Sequence, residues 1–100
     1  MKTSFSAAIE SVDALLTPTA ITPAIPVASI DQTTTPAVFT RFVNFLDLCA
    51  VAVPNGFTAG GLPTSLQIIG RAYAESLALR IGYGYQSAHE WHLRVPHMAA

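Results

Sequence analysis

The residues best suited to chemistry in this chain are its serines, which could act as nucleophiles, and its single lysine, Lys2. A serine hydroxyl attacks a poor electrophile such as an amide only when a base removes its proton and preplaced donors hold the oxyanion. Lys2 is remote from most of the serines in sequence, and none of them lies in a glycine-rich run. The serines are Ser4, Ser6, Ser11, Ser29, Ser65, Ser76 and Ser87. Because these serines are isolated, we expect each to be a surface or capping residue rather than a catalytic one.

Thiol and metal chemistry are weakly supported. Cys49 is the only cysteine and stands in an apolar run, so we expect a small hydrophobic side chain and no disulfide framework. A reactive thiolate would need an electropositive setting. His89 and His92 lie three apart on a predicted helix, yet a zinc site needs three or four ligands. We predict no metal site and no cofactor.

Three polar residues are predicted to hold the structure together. Gln67 lies within an apolar strand, where an unpaired amide costs about 1–3 kcal/mol, so it needs a partner. Pairing with the backbone is the simpler expectation, and a polar contact near a cleft is the alternative. Thr40 and Asn44 are four residues apart on a predicted helix, where they could tie a loop in place.

A candidate binding segment follows the first predicted strand. Thr17, Pro18 and Thr19 leave the end of that strand, and α/β folds place ligand crevices at strand ends. We therefore predict that these three residues contact a substrate. Beyond them, residues 18–38 form a proline- and threonine-rich connecting loop, because proline lacks a donor and disfavours helix before it.

The elements that position these residues alternate between helix and strand. Apolar spacing predicts helices over residues 3–10, 40–46 and 75–93, with Thr40 as the N-cap of the second. Apolar runs predict strands over residues 12–16, 48–53 and 62–69. We expect an α/β fold in which short strands of a mixed sheet are flanked by helices.

The last two predicted strands form an antiparallel hairpin with a wide turn. Pro54-Asn55-Gly56 is expected to end the first of them, and Ala59-Gly60-Gly61 supplies residues that tolerate a positive φ. Leu48 to Val53 is continuously apolar, which is typical of a strand covered on both faces.

The composition is too apolar for an ordinary small domain. Charged residues make up 11% of the chain, against about 25% in typical soluble domains, while hydrophobic residues reach 51%. We therefore expect apolar faces that other protein covers, or self-association through them. The net charge of −1 and the scattered arginines favour neither nucleic acid nor membrane binding, and a cytoplasmic location is the default expectation.

Several segments together resemble the C-terminal part of the amidase signature family. In order along the chain they are Asp13–Thr19, Phe39–Phe45, Val51–Phe57, Gly61-Leu62-Pro63, Leu66–Arg71 and Glu75–Leu79. Their common order and spacing carry the resemblance from about residue 5 to residue 96. The chain departs from the family where Asp47-Leu48-Cys49 replaces the usual glycine-leucine-proline, and where Ser65 stands in place of a common glycine.

The resemblance implies an activity that this chain does not carry by itself. Members of the family hydrolyse carboxamides through an acyl-serine, using a serine nucleophile, a second serine with a cis peptide bond and a lysine base. That machinery lies upstream of the matching region, and some relatives pass the released ammonia to a misacylated transfer RNA. Residues 1–100 therefore resemble a partial, C-terminal amidase domain that is inactive alone and contacts a small amide substrate in the full-length parent.

Two other classes of function stay open. One is a non-catalytic truncated product or subunit that only associates with other chains. The other is an independent small-molecule binding module. Assaying amide hydrolysis by the isolated chain tests for enzymatic activity, and a cooperative unfolding transition of the chain alone would favour the binding module.

Overall fold

The computed structural model describes residues 2–30, 33 and 37–95. Its helices are α1 (Lys2–Ala8), α2 (Arg41–Phe45) and α3 (Glu75–Ala88), and its strands are β1 (Leu15–Pro18), β2 (Cys49–Phe57) and β3 (Pro63–Gly70). Short 3-10 helices occur at Val27–Ser29 and Trp91–Leu93. The predicted α/β class is confirmed.

The strands form one sheet in the order β1-β3-β2, and both pairings are antiparallel. β3 is central and therefore the most buried, with Ile68 0% and Ile69 2% exposed. The predicted hairpin is confirmed. In its wide turn the N–H of Thr58 donates to the carbonyl of Leu62 at 2.8 Å, and Gly61 has a φ of 87°, which glycine adopts without steric cost.

Strands β1 and β2 have boundaries that differ from the prediction. β2 does not end at Pro54 but continues to Phe57, because a register shift between Pro54 and Gly56 lets the chain bulge and resume pairing. Pro54 is tolerated since β2 lies at the edge of the sheet. β1 begins at Leu15 rather than at residue 12, and it includes Thr17 and Pro18 because both pair with β3.

The predicted helix over residues 75–93 is too long. α3 ends at Ala88, where His89 becomes extended with φ −141° and ψ 116°. The chain then turns so that the Trp91 ring lies 6.2 Å from the Phe57 ring at an interplanar angle of 68°. His89 consequently lies just outside α3 and His92 lies in the 3-10 helix Trp91–Leu93, so the two do not share one helix face.

α3 covers one face of the sheet only. The apolar core joins Val53, Ile68 and Ala78, and Gly82 brings the helix backbone close to Val53 and Ile68. Because successive strand residues point to opposite faces, alternate residues of β2 point away from α3, and Ala50 and Ala52 are exposed. The prediction that this strand is covered on both faces is wrong for this chain.

The chain leaves α2 through a left-handed residue. Asp47 has a φ of 57°, and the next N–H, that of Leu48, donates to the carbonyl of Val43 at 2.9 Å. This is a conformation that glycine favours and aspartate tolerates, so the departure from glycine at this position is accommodated.

The connecting loop predicted over residues 18–38 is described in part. From Thr19 to Ile30 the described residues contain only the 3-10 helix Val27–Ser29, and residues 31, 32 and 34–36 lie outside the described residues.

None of the helices in the described ranges is both long enough and apolar enough to cross a bilayer.

Candidate functional site

A groove of about 790 Å³ opens where β1 ends, beside the bulged end of the β2–β3 hairpin. Residues 16–24 line one side, residues 63–66 line the other, and Ala52, Pro54 and Asn55 of β2 complete it. We call this depression the groove. Thr17, Pro18 and Thr19, the predicted substrate-binding residues, all line it.

A hydroxyl pair links three segments at the groove. The Thr19 hydroxyl donates to Ser65 Oγ at 2.9 Å, and the Ser65 hydroxyl donates to the Val53 carbonyl at 3.2 Å. The backbone N–H of Thr19 also donates to the Ser65 carbonyl at 3.1 Å. The residue that follows β1 is thereby held against β3, and β3 against β2.

Gln67 provides a second connection, deeper in the sheet. It is only 4% exposed, and its Nε2 donates to the Phe39 carbonyl at 2.7 Å and to Thr17 Oγ1 at 3.0 Å. Thr17 lies directly opposite Gln67 in the β1–β3 register, and its hydroxyl donates to the Pro18 carbonyl at 2.9 Å. Gln67 therefore contacts the backbone at Phe39 and the side chain of Thr17, which lines the groove.

The β2 bulge carries one more polar pair. The Thr64 hydroxyl donates to Asn55 Oδ1 at 2.7 Å, and both residues line the groove and are half-buried. Since Oδ1 accepts this bond, the amide nitrogen of Asn55 is the side-chain atom left to donate. The pair fixes the conformation of the bulge next to the hydroxyl pair.

Thr40 and Asn44 do not join this network. Thr40 occupies the N-cap position of α2, but its side chain makes no capping hydrogen bond. Asn44 is exposed on α2, and its backbone carbonyl accepts the N–H of Asp47 at 3.2 Å. Among the described residues that line the groove, neither is present. Of the three polar residues Thr40, Asn44 and Gln67, only Gln67 contacts a residue of the groove lining, Thr17.

Arg71, just after β3, makes long-range contacts that sequence analysis missed. Its Nη2 donates to the carbonyls of Ile9, Glu10 and Val12 at 2.5, 3.2 and 2.6 Å. The Cys49 thiol in turn donates to the Arg71 carbonyl at 3.2 Å, so Cys49 packs and bonds internally. These contacts position the segment after α1 and leave the groove untouched.

Ser65, Asn55 and Thr64 were also missed as contributors to the groove. The signal in the sequence was periodicity: hydroxyl or amide residues alternate at Thr17 and Thr19, and again at Ser65 and Gln67, so each pair shares a strand face. The facing register that brings the two pairs together is a tertiary feature. No sequence pattern indicated the pairing of Thr64 with Asn55 across the bulge.

The lining of the groove is polar and apolar but uncharged. No charged side chain lies among its described lining residues, and none of its hydroxyls contacts a group that could act as a base. Within the described residues, no cluster of three histidine, cysteine, aspartate or glutamate side chains could hold a metal ion.

Sequence comparison matches the profile of the Amidase family to residues 1–79. The chain is 42% identical over 94 residues to the A subunit of glutamyl-tRNA(Gln) amidotransferase from Geobacter metallireducens, covering 88% of this chain and 19% of that protein. It is 38% identical over 100 residues to the same subunit of Thermodesulfovibrio yellowstonii, covering 96% of this chain and 21% of that protein. The chain thus spans about one fifth of the length of the curated relatives it matches.

The three-dimensional comparison agrees. The crystal structure of the A subunit of glutamyl-tRNA(Gln) amidotransferase from Thermotoga maritima superposes with a TM-score of 0.79 and 31% sequence identity. The superposition covers 86% of this chain and 20% of that protein.

Proposed function

The chain belongs to the amidase family, and on that premise we propose that it forms the C-terminal part of an amidase domain, whose complete form hydrolyses a carboxamide C–N bond through an acyl-serine. In this proposal the chain supplies the β2–β3 hairpin, α3 and the groove. The nucleophile, the base and the oxyanion donors come from the rest of such a domain.

The observation that carries the proposal is the close superposition on one fifth of the T. maritima protein, with a TM-score of 0.79. Exposed apolar surface supports it, because such surface would be covered in a larger body. Ala50 and Ala52 leave one face of β2 open, and Leu79 and Tyr83 of α3 are 58% and 75% exposed. Leu79 and Tyr83 lie four residues apart on one side of α3, and such a cluster of exposed apolar residues is typical of a surface that another layer covers.

The chemistry of the serines supports inactivity of the isolated chain. The Ser65 hydroxyl donates to a backbone carbonyl of β2, and the Ser87 hydroxyl donates to the Tyr83 carbonyl at 2.9 Å, so both protons are bound by backbone acceptors. A nucleophilic serine instead needs a neighbouring base to take that proton. The only lysine of the chain is Lys2.

A chimera tests the proposal. The region of the T. maritima protein that superposes on this chain is replaced by the corresponding residues of this chain, and ammonia release from a panel of carboxamides is measured. We expect the chimera to release ammonia and the isolated chain to release none. A folded but inactive chimera would contradict the proposal. So would turnover by the isolated chain that a serine-directed sulfonyl fluoride abolishes.

The exposed apolar surface also favours a second candidate, a non-catalytic subunit that binds other chains or itself. Under this alternative the folded chimera is inactive, while the chain binds a partner through the faces that α3 leaves uncovered.

In either case we expect the protein in the cytoplasm. The only cysteine, Cys49, is a free thiol that donates a hydrogen bond to the Arg71 carbonyl, which is in keeping with a reducing compartment.

A further inference from the structure

The hydrogen bonds of the central strand β3 determine which backbone groups of β2 are used inside the sheet. The N–H of Thr19 donates to the Ser65 carbonyl, so Ser65 directs its backbone groups towards β1. In an antiparallel sheet, consecutive residues of a central strand bond to opposite neighbours. Leu66 and Ile68 therefore direct their N–H and carbonyl groups towards β2.

The same alternation turns other backbone groups of β2 outwards. Val53 and Val51 stand opposite Leu66 and Ile68 and so bond to β3. The N–H and carbonyl groups of the exposed residues Ala50 and Ala52 consequently point away from β3, on the side where no further strand lies among the described residues. We call Ala50, Ala52 and Pro54 the free edge.

A shallow apolar cleft lies between the free edge and α3. It is lined by residues 51–53 of β2 and by Leu79, Gly82, Tyr83 and Gln86 of α3. Leu79 and Tyr83 are exposed, and no charged side chain occurs among the described lining residues. Proteins commonly protect an edge strand with charged side chains, yet β2 contains none. Electrostatic repulsion therefore does not oppose the approach of a second, identical edge.

From these observations we propose that a second copy of the chain pairs with the free edge, antiparallel and across a two-fold axis that passes beside Val51. In this register Ala50 of each copy stands opposite Ala52 of the other. The two pairs together form four hydrogen bonds between backbone N–H and carbonyl groups. Every outward backbone group of both alanines is then bonded.

Two neighbouring residues select this register over its alternatives. If Ala52 stood opposite Ala52 of the second copy, Ala50 would face Pro54, which has no N–H to donate. If Ala50 stood opposite Ala50, Ala52 would face Leu48, whose N–H already donates to the Val43 carbonyl. Pairing Ala50 with Ala52 avoids both losses.

The same two-fold axis brings the two α3 helices into contact. Gly82 lies close to Val53 of β2 and Ile68 of β3, so α3 lies over both strands. With strands about 4.8 Å apart, α3 is about one strand spacing from the axis, and the two helices are about 10 Å apart. Helices pack at about 8–10 Å, so Leu79 and Tyr83 can fill the space between them.

The dimer goes beyond the proposed function and does not depend on it. In the proposed complete domain another layer covers the same surface, so that layer and the second copy exclude each other. The contact consists of one strand and one helix from each copy. We therefore expect a weak dimer with a dissociation constant on the order of 10–100 µM, which is mostly monomeric at the low concentrations of a denaturation experiment.

Sedimentation equilibrium of the full chain at increasing concentration tests the dimer. The mass should rise from the 10.6 kDa of one chain to twice that value and no further. Ala52→Pro removes an outward N–H at an edge position where proline is tolerated, so the dissociation constant should rise at least about tenfold. Leu16→Pro is the matched control, because Leu16 stands opposite Ile68 and turns its N–H to the free side of β1. It should leave the dissociation constant unchanged.

Cross-linking tests the register. The background Cys49→Ser keeps a donor for the Arg71 carbonyl and removes the native thiol. In it, Val51→Cys places two thiols opposite each other, with Cα atoms about 4.5 Å apart, which suits a disulfide. Ala52→Cys is the control, because its two Cα atoms would lie more than about 7 Å apart. Oxidation should link Val51→Cys into dimers and leave Ala52→Cys unlinked.

A mass of one chain at every concentration would overturn the proposal, as would masses beyond two chains. Preferential cross-linking of Ala52→Cys would overturn it too, and so would equal weakening by Ala52→Pro and Leu16→Pro. Circular dichroism of each variant separates a lost dimer from a lost fold, and the cross-linking pair decides the matter if Ala52→Pro does not fold. None of these measurements detects hydrolysis. A monomeric chain therefore leaves the amidase proposal in place, and a folded, inactive chimera leaves the dimer in place.

Discussion

The hairpin–helix unit, residues 49–88, and the N-terminal segments, residues 2–30 and 37–46, are held in different ways. The hairpin–helix unit buries Val53, Ile68 and Ala78 in one apolar cluster between β2, β3 and α3. The N-terminal segments bury Val43 and Leu46 and pair β1 with β3 along four residues. Their other connections to β3 and Arg71 are side-chain hydrogen bonds that span long stretches of sequence. Gln67 reaches Phe39 across 28 positions, and Arg71 reaches Ile9 across 62.

The two kinds of interaction differ in how strongly they depend on geometry and in how much free energy each contributes. Apolar burial is non-directional and scales with area, whereas a hydrogen bond contributes only about 0.5–1.5 kcal/mol net and depends on geometry. We therefore expect the N-terminal segments to open locally while the hairpin–helix unit stays folded. The groove lies on the boundary between the two regions, so its shape depends on the weaker one.

Truncating the centre of the hairpin–helix unit should have the largest effect. Ile68 is 0% exposed, so Ile68→Ala removes buried methylenes and leaves a cavity. We expect the free energy of unfolding to fall by about 2–5 kcal/mol, measured by urea denaturation followed by circular dichroism. Leu79→Ala, at a position 58% exposed on α3, is the control and should cost less than about 1 kcal/mol. Similar losses for both would show that the apolar cluster does not dominate stability.

Gln67→Leu should loosen the N-terminal segments selectively. The substitution keeps the volume but leaves the Phe39 carbonyl and the Thr17 hydroxyl without their donor, at a cost of about 1–3 kcal/mol. Hydrogen exchange followed by mass spectrometry should show faster exchange over residues 37–46 and unchanged protection in α3. Uniformly faster exchange would mean that the two regions unfold as one unit, with no difference in how they are held.

Arg71→Lys should have a smaller effect, confined to the segment after α1. Nη2 of the guanidinium donates to the carbonyls of Ile9, Glu10 and Val12, and the lysine side chain, which is one atom shorter, does not reach the position of Nη2. We expect a loss of about 1 kcal/mol, because much of the contact is exposed, with faster exchange over residues 9–13. Arg80→Lys, on an exposed position of α3, is the matched control. An effect of Arg80→Lys as large as that of Arg71→Lys would indicate a general charge effect.

Gly84→Ala should give a modest gain within the hairpin–helix unit. A Cβ at Gly84 would meet no atom within 4 Å, and alanine is favoured over glycine in a helix by about 0.5–1 kcal/mol. Gly82 differs from Gly84, because a Cβ at Gly82 would lie 3.5 Å from Val53 Cγ1 in the apolar core, which is an ordinary contact distance. Gly84→Ala should therefore raise the thermal midpoint of unfolding. A lower midpoint would show that this face of α3 already packs against something in solution, such as a second copy of the chain.

The sequence is a good guide to local elements and a poor one to their ends. Periodicity locates α1, α2 and the β2–β3 hairpin, because each depends on the spacing of nearby apolar residues. Pro54 and Gly56 predict the end of a strand, yet the edge position of β2 lets both stay in it. Likewise, Trp91 fits the helical spacing of α3 but packs on Phe57 from a separate 3-10 helix.

The residues of the groove likewise include some that local sequence patterns indicate and some that only the tertiary structure reveals. The end of β1 marks Thr17, Pro18 and Thr19 as candidates, and burial of Gln67 requires a partner for its amide. The identity of that partner, the Phe39 carbonyl, depends on where the loop before α2 passes, which no local pattern fixes. Ser65 stands out in the sequence only as a departure from glycine, and its role becomes visible once the register places its hydroxyl beside Thr19.

The contact of Trp91 with the hairpin gives the protein a built-in optical probe. Trp91 is the only tryptophan, its ring packs at a steep angle against the Phe57 ring, and the Arg94 guanidinium lies 5.3 Å from the centre of the Trp91 ring. Fluorescence excited selectively at the indole therefore arises from one place, the junction between the residues after α3 and the end of β2. A red shift in its emission would show these residues separating from the hairpin, even while the secondary structure of α3 persists.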